Sequence, residues 1–164
     1  MTVGTHVARP VVRLEGLRAP GAAAVAAALS LSSAIAHFGV AAPHWDEWWA
    51  HGAFFVACGV AQALFAVLVL WRPHATGLLL TGIAGTLAVI AMYVYSRTNG
   101  SPIGPHEGVP EPAGAYDLTT TAGEFVLVVV LVHLLSPSVR PWGMRLVGAA
   151  GAGLWVAKAA GVLV

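Results

Sequence analysis

The chain has 164 residues, of which 58% are hydrophobic and 9% charged, and its formal net charge is +1. A soluble domain carries about 25% charged residues, so this composition excludes an ordinary water-soluble fold. The basic residues are scattered and form no patch, which leaves no footprint for nucleic acid.

Ten prolines punctuate the chain, and the long apolar runs between them contain none. Five runs of bilayer-spanning length result, roughly 21–42, 50–71, 75–96, 118–135 and 143–164. A helix needs about 20 mostly apolar residues to cross the hydrocarbon core. Proline belongs at the ends of such helices, because the backbone in lipid must satisfy its own hydrogen bonds. The predicted fold is all-α: a polytopic five-helix bundle, residues 21–164, preceded by a tail of residues 1–20. The first run lacks the flanks of a cleaved signal and is read as a retained span.

The tail carries Arg9, Arg13 and Arg18. The first span places Ser30, Ser33 and His37 on one face. Pro43 then suits the first position of a new helix. On that helix His44, Glu47 and His51 fall at i, i+3 and i+7, within about 60° of one another, and Cys58 and Gln62 continue the stripe. The competing reading is an interfacial belt built by Trp45, Trp48 and Trp49, with the histidines merely at headgroup level. Cys58 is the single cysteine, so it forms no intramolecular disulfide and carries no redox-compartment signal.

The third span aligns Thr86, Tyr93 and Arg97. Residues 97–117 follow as a Pro- and Gly-rich outer loop, read as a rigid lid or an ordered connector. The fourth span aligns Asp117, Thr121 and Glu124, with His133 on the opposite face as a satisfied structural histidine. The fifth offers only Lys158, which snorkels to the interface. Gly77, Thr81, Gly85, Gly148 and Gly151 supply small residues for close helix packing, within the bundle or against another copy or membrane partner.

Arginines at 9, 13, 18, 72, 140 and 145 fall on one side if five spans alternate. The positive-inside rule makes that side cytoplasmic, with the N-terminus inside and the C-terminus outside. Glu124 is then a carboxyl inside a span, where a charge costs roughly 2.5–3.5 kcal/mol, so it should be neutral, paired or bound to a cation. Pairing with Arg97 is the structural alternative. Imidazole and carboxylate together suit zinc, iron or manganese, and imidazole alone suits copper. A transition-metal site at the outer face is therefore predicted from His37, His44, Glu47, His51 and Glu124. A b-type haem held by two of His37, His44 and His51 is the alternative cofactor. A small transporter coupled through Glu124 and Arg97, or an accessory subunit of a larger complex, are the alternative roles.

The run Ser96-Arg97-Thr98-x-Gly100-x-Pro102-x-Gly104-Pro105, then Pro110-Glu111-x-x-Gly114-x-x-Asp117 and Glu124, resembles a group of small bacterial integral membrane proteins, many from actinobacteria. His37, His44 and Glu47 share in the resemblance, which covers most of residues 30–135. It implies a bacterial plasma membrane and brings no activity with it.

Overall fold

A computed structural model describes residues 15–161. His6, Arg9 and Arg13 of the basic tail lie outside them, as does the Arg18 side chain. Five helices follow in order: α1 (Glu15–Glu47), α2 (Trp49–Trp71), α3 (Thr76–Asn99), α4 (Ala115–Leu134) and α5 (Arg140–Ala159). There is no strand among the described residues. The first four helices are long and apolar enough to cross a membrane. α5 falls outside that group, because Arg140, Arg145 and Lys158 lower the hydropathy of its 20 residues.

The predicted helix start at Pro43 is corrected. α1 runs through both Pro20 and Pro43 to Glu47. An interior proline removes one backbone hydrogen bond and disfavours the helix by about 3 kcal/mol or more in water. Here the neighbouring turn is reinforced from the side chain, since the His44 ring reaches the Val40 carbonyl at 2.8 Å. The chain breaks instead at Trp48, whose extended backbone (φ −163°, ψ 125°) turns directly into α2. His44 and Glu47 therefore end α1, while His51 opens α2. The single-helix array of His44, Glu47 and His51 does not exist; the three residues come from two helices.

The α1–α2 hairpin is the tightest helix pair, and glycine is the reason. A Cβ at Gly52 would stand 2.6 Å from Trp45, and one at Gly59 would stand 2.8 Å from Phe38. No real side chain tolerates such contacts, so these two glycines, seven residues apart, let bulky α1 side chains seat against the α2 backbone. α4 packs on both α1 and α3, and α5 lies more lightly on α3 and α4. At the α5 contact, Gly143 admits the Leu135 side chain. Gly77, Gly85, Gly148 and Gly151 face open space within this chain, so of the two packing roles read for them the internal one is not used. A small residue shows that a helix can be approached, whereas the neighbour's position decides whether it is.

The bundle divides by polarity along its length. At the end bearing the α2–α3 and α4–α5 turns, Val69, Leu79, Ile83, Leu127, Leu131 and Leu135 form a closed apolar core. Toward the other end, which carries the α1–α2 junction and the α3–α4 connector, the buried groups are Ser30, Ser33, His37, Gln62, Thr86, Ser101 and Glu124. The outer surface of the helices is largely apolar, with Ile35, Leu64, Leu70, Phe125 and Val129 exposed. His133, read as a satisfied structural histidine, is exposed on the outer surface of α4. Its carbonyl accepts a bond from Arg140.

Candidate functional site

A cavity of about 220 Å³ opens between α1, α2, α3 and α4 at the connector end. Its wall includes His37, His44, His51, Arg97, Asp117, Thr121 and Glu124, set among Phe54, Phe55, Val89 and Met92. Four of the five predicted metal ligands thus line one space. Glu47 is not among the lining residues.

Glu124 is the deepest polar group, with 2% of its surface exposed. Ser33 Oγ donates to its Oε1 at 2.6 Å and Gln62 Nε2 donates to the same oxygen at 3.0 Å. Two hydrogen bonds to one buried carboxyl oxygen offset part of the cost of placing this polar group among apolar helices. This layer joins α1, α2 and α4, and Ser30 adds a bond from its hydroxyl to the Gln62 carbonyl at 2.8 Å. Glu124 Oε2 has no partner among the described residues. Among the described residues, the buried side-chain atoms without a partner are Gln62 Oε1, Tyr93 Oη, Arg97 Nε and Arg140 Nε. Glu124 is one of the residues that line the cavity.

The alternative Glu124–Arg97 pair is not formed. Arg97 donates to Glu111 through Nη1 and to Asp117 through Nη2, the latter at 3.0 Å. Asp117 also accepts the Gly114 N–H at the start of α4, where the helix dipole favours a carboxylate. Arg97 lies over the Tyr93 ring, 5.1 Å from its centroid. The cavity wall carries one guanidinium, Arg97, and three carboxyl groups, Glu111, Asp117 and Glu124.

The histidines divide by tautomer. His37 Nδ1 lies 2.8 Å from the Ser33 carbonyl, and His44 Nδ1 lies 2.8 Å from the Val40 carbonyl. A carbonyl only accepts, so both Nδ1 atoms carry the proton and the neutral rings present Nε2 as a lone pair. This backbone lock is the arrangement that orients metal-binding imidazoles. His51 has the opposite arrangement. Its Nε2 lies 3.0 Å from Ser101 Oγ and 3.2 Å from the Ile103 carbonyl, so that nitrogen donates to the connector. Glu47 is likewise turned to the connector, where its carboxylate meets His106 at 2.8 Å. Two of the five predicted ligands therefore anchor the loop, and three offer unpaired donor atoms to the cavity.

Residues 100–114 fold as a roof over this space. Turns bond Glu107 to Gly104 and Gly108 to Ser101, and a short bridge joins Ser101 with Glu107. Gly100 has φ +82°, and a Cβ there would stand 2.2 Å from the Val109 nitrogen. Only glycine permits this crossing of the connector over itself. Ser101, Pro102, Ile103 and Glu111 complete the cavity wall. The sequence reading missed Gln62 and Ser33 as partners of Glu124. Their positions on polar stripes were visible, but the rotation of three helices about one another was not.

No three His, Cys, Asp or Glu side chains gather closely enough to hold a metal ion among the described residues. No nitrogen of His37 comes within 4.0 Å of a Glu124 oxygen. His37 and His44 are seven residues apart on one helix, about 10.5 Å along its axis. Two ligands of one ion lie no more than about 4.2 Å apart, so His37 and His44 cannot share one, as a metal pair or as haem axial ligands. No protein-family model, curated protein or solved structure matches the chain.

Proposed function

We propose that this is an integral membrane cation-binding protein, whose connector-end cavity takes a transition-metal ion at Glu124 and His37. One observation carries the reading: three carboxylates and a single guanidinium surround a cavity in which a buried carboxylate and a backbone-locked imidazole keep unpaired donor atoms. A negative cavity among apolar helices is most stable with a cation inside it. Imidazole with carboxylate favours zinc or iron over magnesium or calcium, and copper when imidazole dominates. A shared ion requires His37 Nε2 and the second Glu124 oxygen to come within about 4.2 Å of one another. The protein would then hold metal for uptake, delivery or redox use.

In this reading the membrane is a bacterial plasma membrane and α5 makes the fifth crossing. Arg72, Arg140 and Arg145 flank the cytoplasmic side, and the connector and cavity face outward. The cavity supports a second reading, an organic ammonium ion. Its volume exceeds that of a bare metal ion, and the aromatic side chains Phe54, Phe55 and Tyr93 stand in its wall.

Titration calorimetry on the purified full chain in detergent, with Zn²⁺ and separately with tetramethylammonium, tests both. The metal reading expects saturable Zn²⁺ binding that Glu124→Gln abolishes. Binding of tetramethylammonium alone would select the organic cation. Binding of neither would remove both readings. A haem absorption band in the purified protein would replace them with the haem reading.

A further inference from the structure

We infer that His44 is a separate outer station for the cation, which occupies it transiently on the way between the outside and the deep pair of Glu124 and His37. This rests on the metal reading above.

Three observations carry it. First, His44 has the same backbone lock as His37: Nδ1–H bound to the carbonyl four residues back, and Nε2 left as a lone pair. The lock leaves Nε2 as the ring nitrogen able to meet a cation. Second, the two residues line the same cavity but their backbones stand two helical turns apart, about 10.5 Å of helical rise. One ion cannot bind both, so a donor at His44 acts before or after the deep site. Third, Phe55 of α2 spans the interval. Its ring centroid lies 5.9 Å from His37 and 4.4 Å from His44. An aromatic face attracts a cation and provides no ligand that would trap it.

The remaining polar groups support this division. His51 and Glu47, the other histidine and carboxylate near the top of the hairpin, are occupied by Ser101, Ile103 and His106 of the connector. His44 is thus the imidazole that stays open between the roof and the floor. It is half-buried, whereas His37 is buried, which orders the two from the outside inward.

A station on a route changes rates and leaves the end point alone. The test is stopped-flow loading and chelator-driven release of Co²⁺, followed by its visible absorption, on the full chain in detergent. His44→Gln and His44→Phe are compared with the unmodified protein. Phe preserves the packing on Phe55 and supplies no donor; Gln retains polarity if the Phe variant misfolds by circular dichroism. Loading and release should both slow by about tenfold, as expected when about 1.4 kcal/mol of stabilisation is lost from a step on the route. The equilibrium dissociation constant should stay within about threefold, since both rates fall together. Unchanged rates would overturn the proposal. So would a loss of equilibrium binding as large as that of Glu124→Gln, which would make His44 a ligand of the deep site. If the unmodified protein binds no Co²⁺ or Zn²⁺, the metal reading itself fails and the station falls with it.

Discussion

Glu124 is held by two neutral donors on one oxygen and leaves the other oxygen to the cavity. A glutamine in its place keeps the shape and still accepts from Ser33 and Gln62 through its carbonyl. Glu124→Gln should therefore leave the helix bundle folded, with a change in stability within about 1 kcal/mol, read by thermal unfolding followed by circular dichroism. A larger loss would mean that the charge is needed for assembly. Ser33 is the more structural member of the pair. It donates to Glu124 with its hydroxyl and accepts from His37 with its carbonyl. Ser33→Ala removes one donor from a buried carboxylate and should destabilise the fold by about 1–3 kcal/mol, read in the same melt. An unchanged melting temperature would show that Gln62 or water replaces the hydroxyl.

Helix pairs are set by where glycine faces a large neighbour. Gly59→Leu would drive a side chain into Phe38, and Gly52→Leu would drive one into Trp45. Each should cost about 1–3 kcal/mol or more through overpacking. Gly148→Leu, which meets open space, should be tolerated in the same denaturation assay. Equal sensitivity at Gly59 and Gly148 would mean that α5 has a partner beyond this chain. The connector is an element of a different kind, since its base is charged. Arg97 clasps Glu111 from the loop and Asp117 from α4, and all three are partly exposed. Arg97→Gln should cost about 1–2 kcal/mol after allowance for solvent screening. It should also speed amide hydrogen exchange in residues 100–114, with the exchange of α2 and α4 unaltered. Protection of the loop that survives the substitution would assign its order to the turns and to His51.

Over the whole molecule, apolar packing and polar chemistry occupy opposite ends. The closed core of Val69, Leu79, Ile83, Leu127 and Leu131 leaves no polar path through its half of the bundle. That arrangement suits a site opening toward one face better than a through-channel. If α5 makes the fifth crossing, a periplasm-active reporter fused after Val164 should be active and a cytoplasm-active one silent. The reverse result would place α5 on one side of the bilayer and leave the first four helices as the spans.

Composition and proline placement were enough to read an all-helical chain, because crossing lipid forces the backbone into long uninterrupted helices. The buried faces were also legible. Ser30, Ser33 and His37 on α1, and Thr121 and Glu124 on α4, recur at helical spacing, and polar groups at that spacing on an apolar helix avoid lipid. The α1–α2 boundary was not legible, since Pro43 reads as a helix start by local rules while α1 continues through it to Glu47. That shift of one helix boundary sent His44 to α1 and turned Glu47 to the connector. The partners of Glu124 were likewise undetermined in one dimension. Ser33, Gln62, Arg97 and His37 were all within chemical reason, and only the mutual rotation of α1, α2 and α4 selected Ser33 and Gln62. Sequence spacing determines which residues share a face of a helix. Which faces meet is decided by contacts such as Gly59 on Phe38, whose energies depend on the whole bundle being in place.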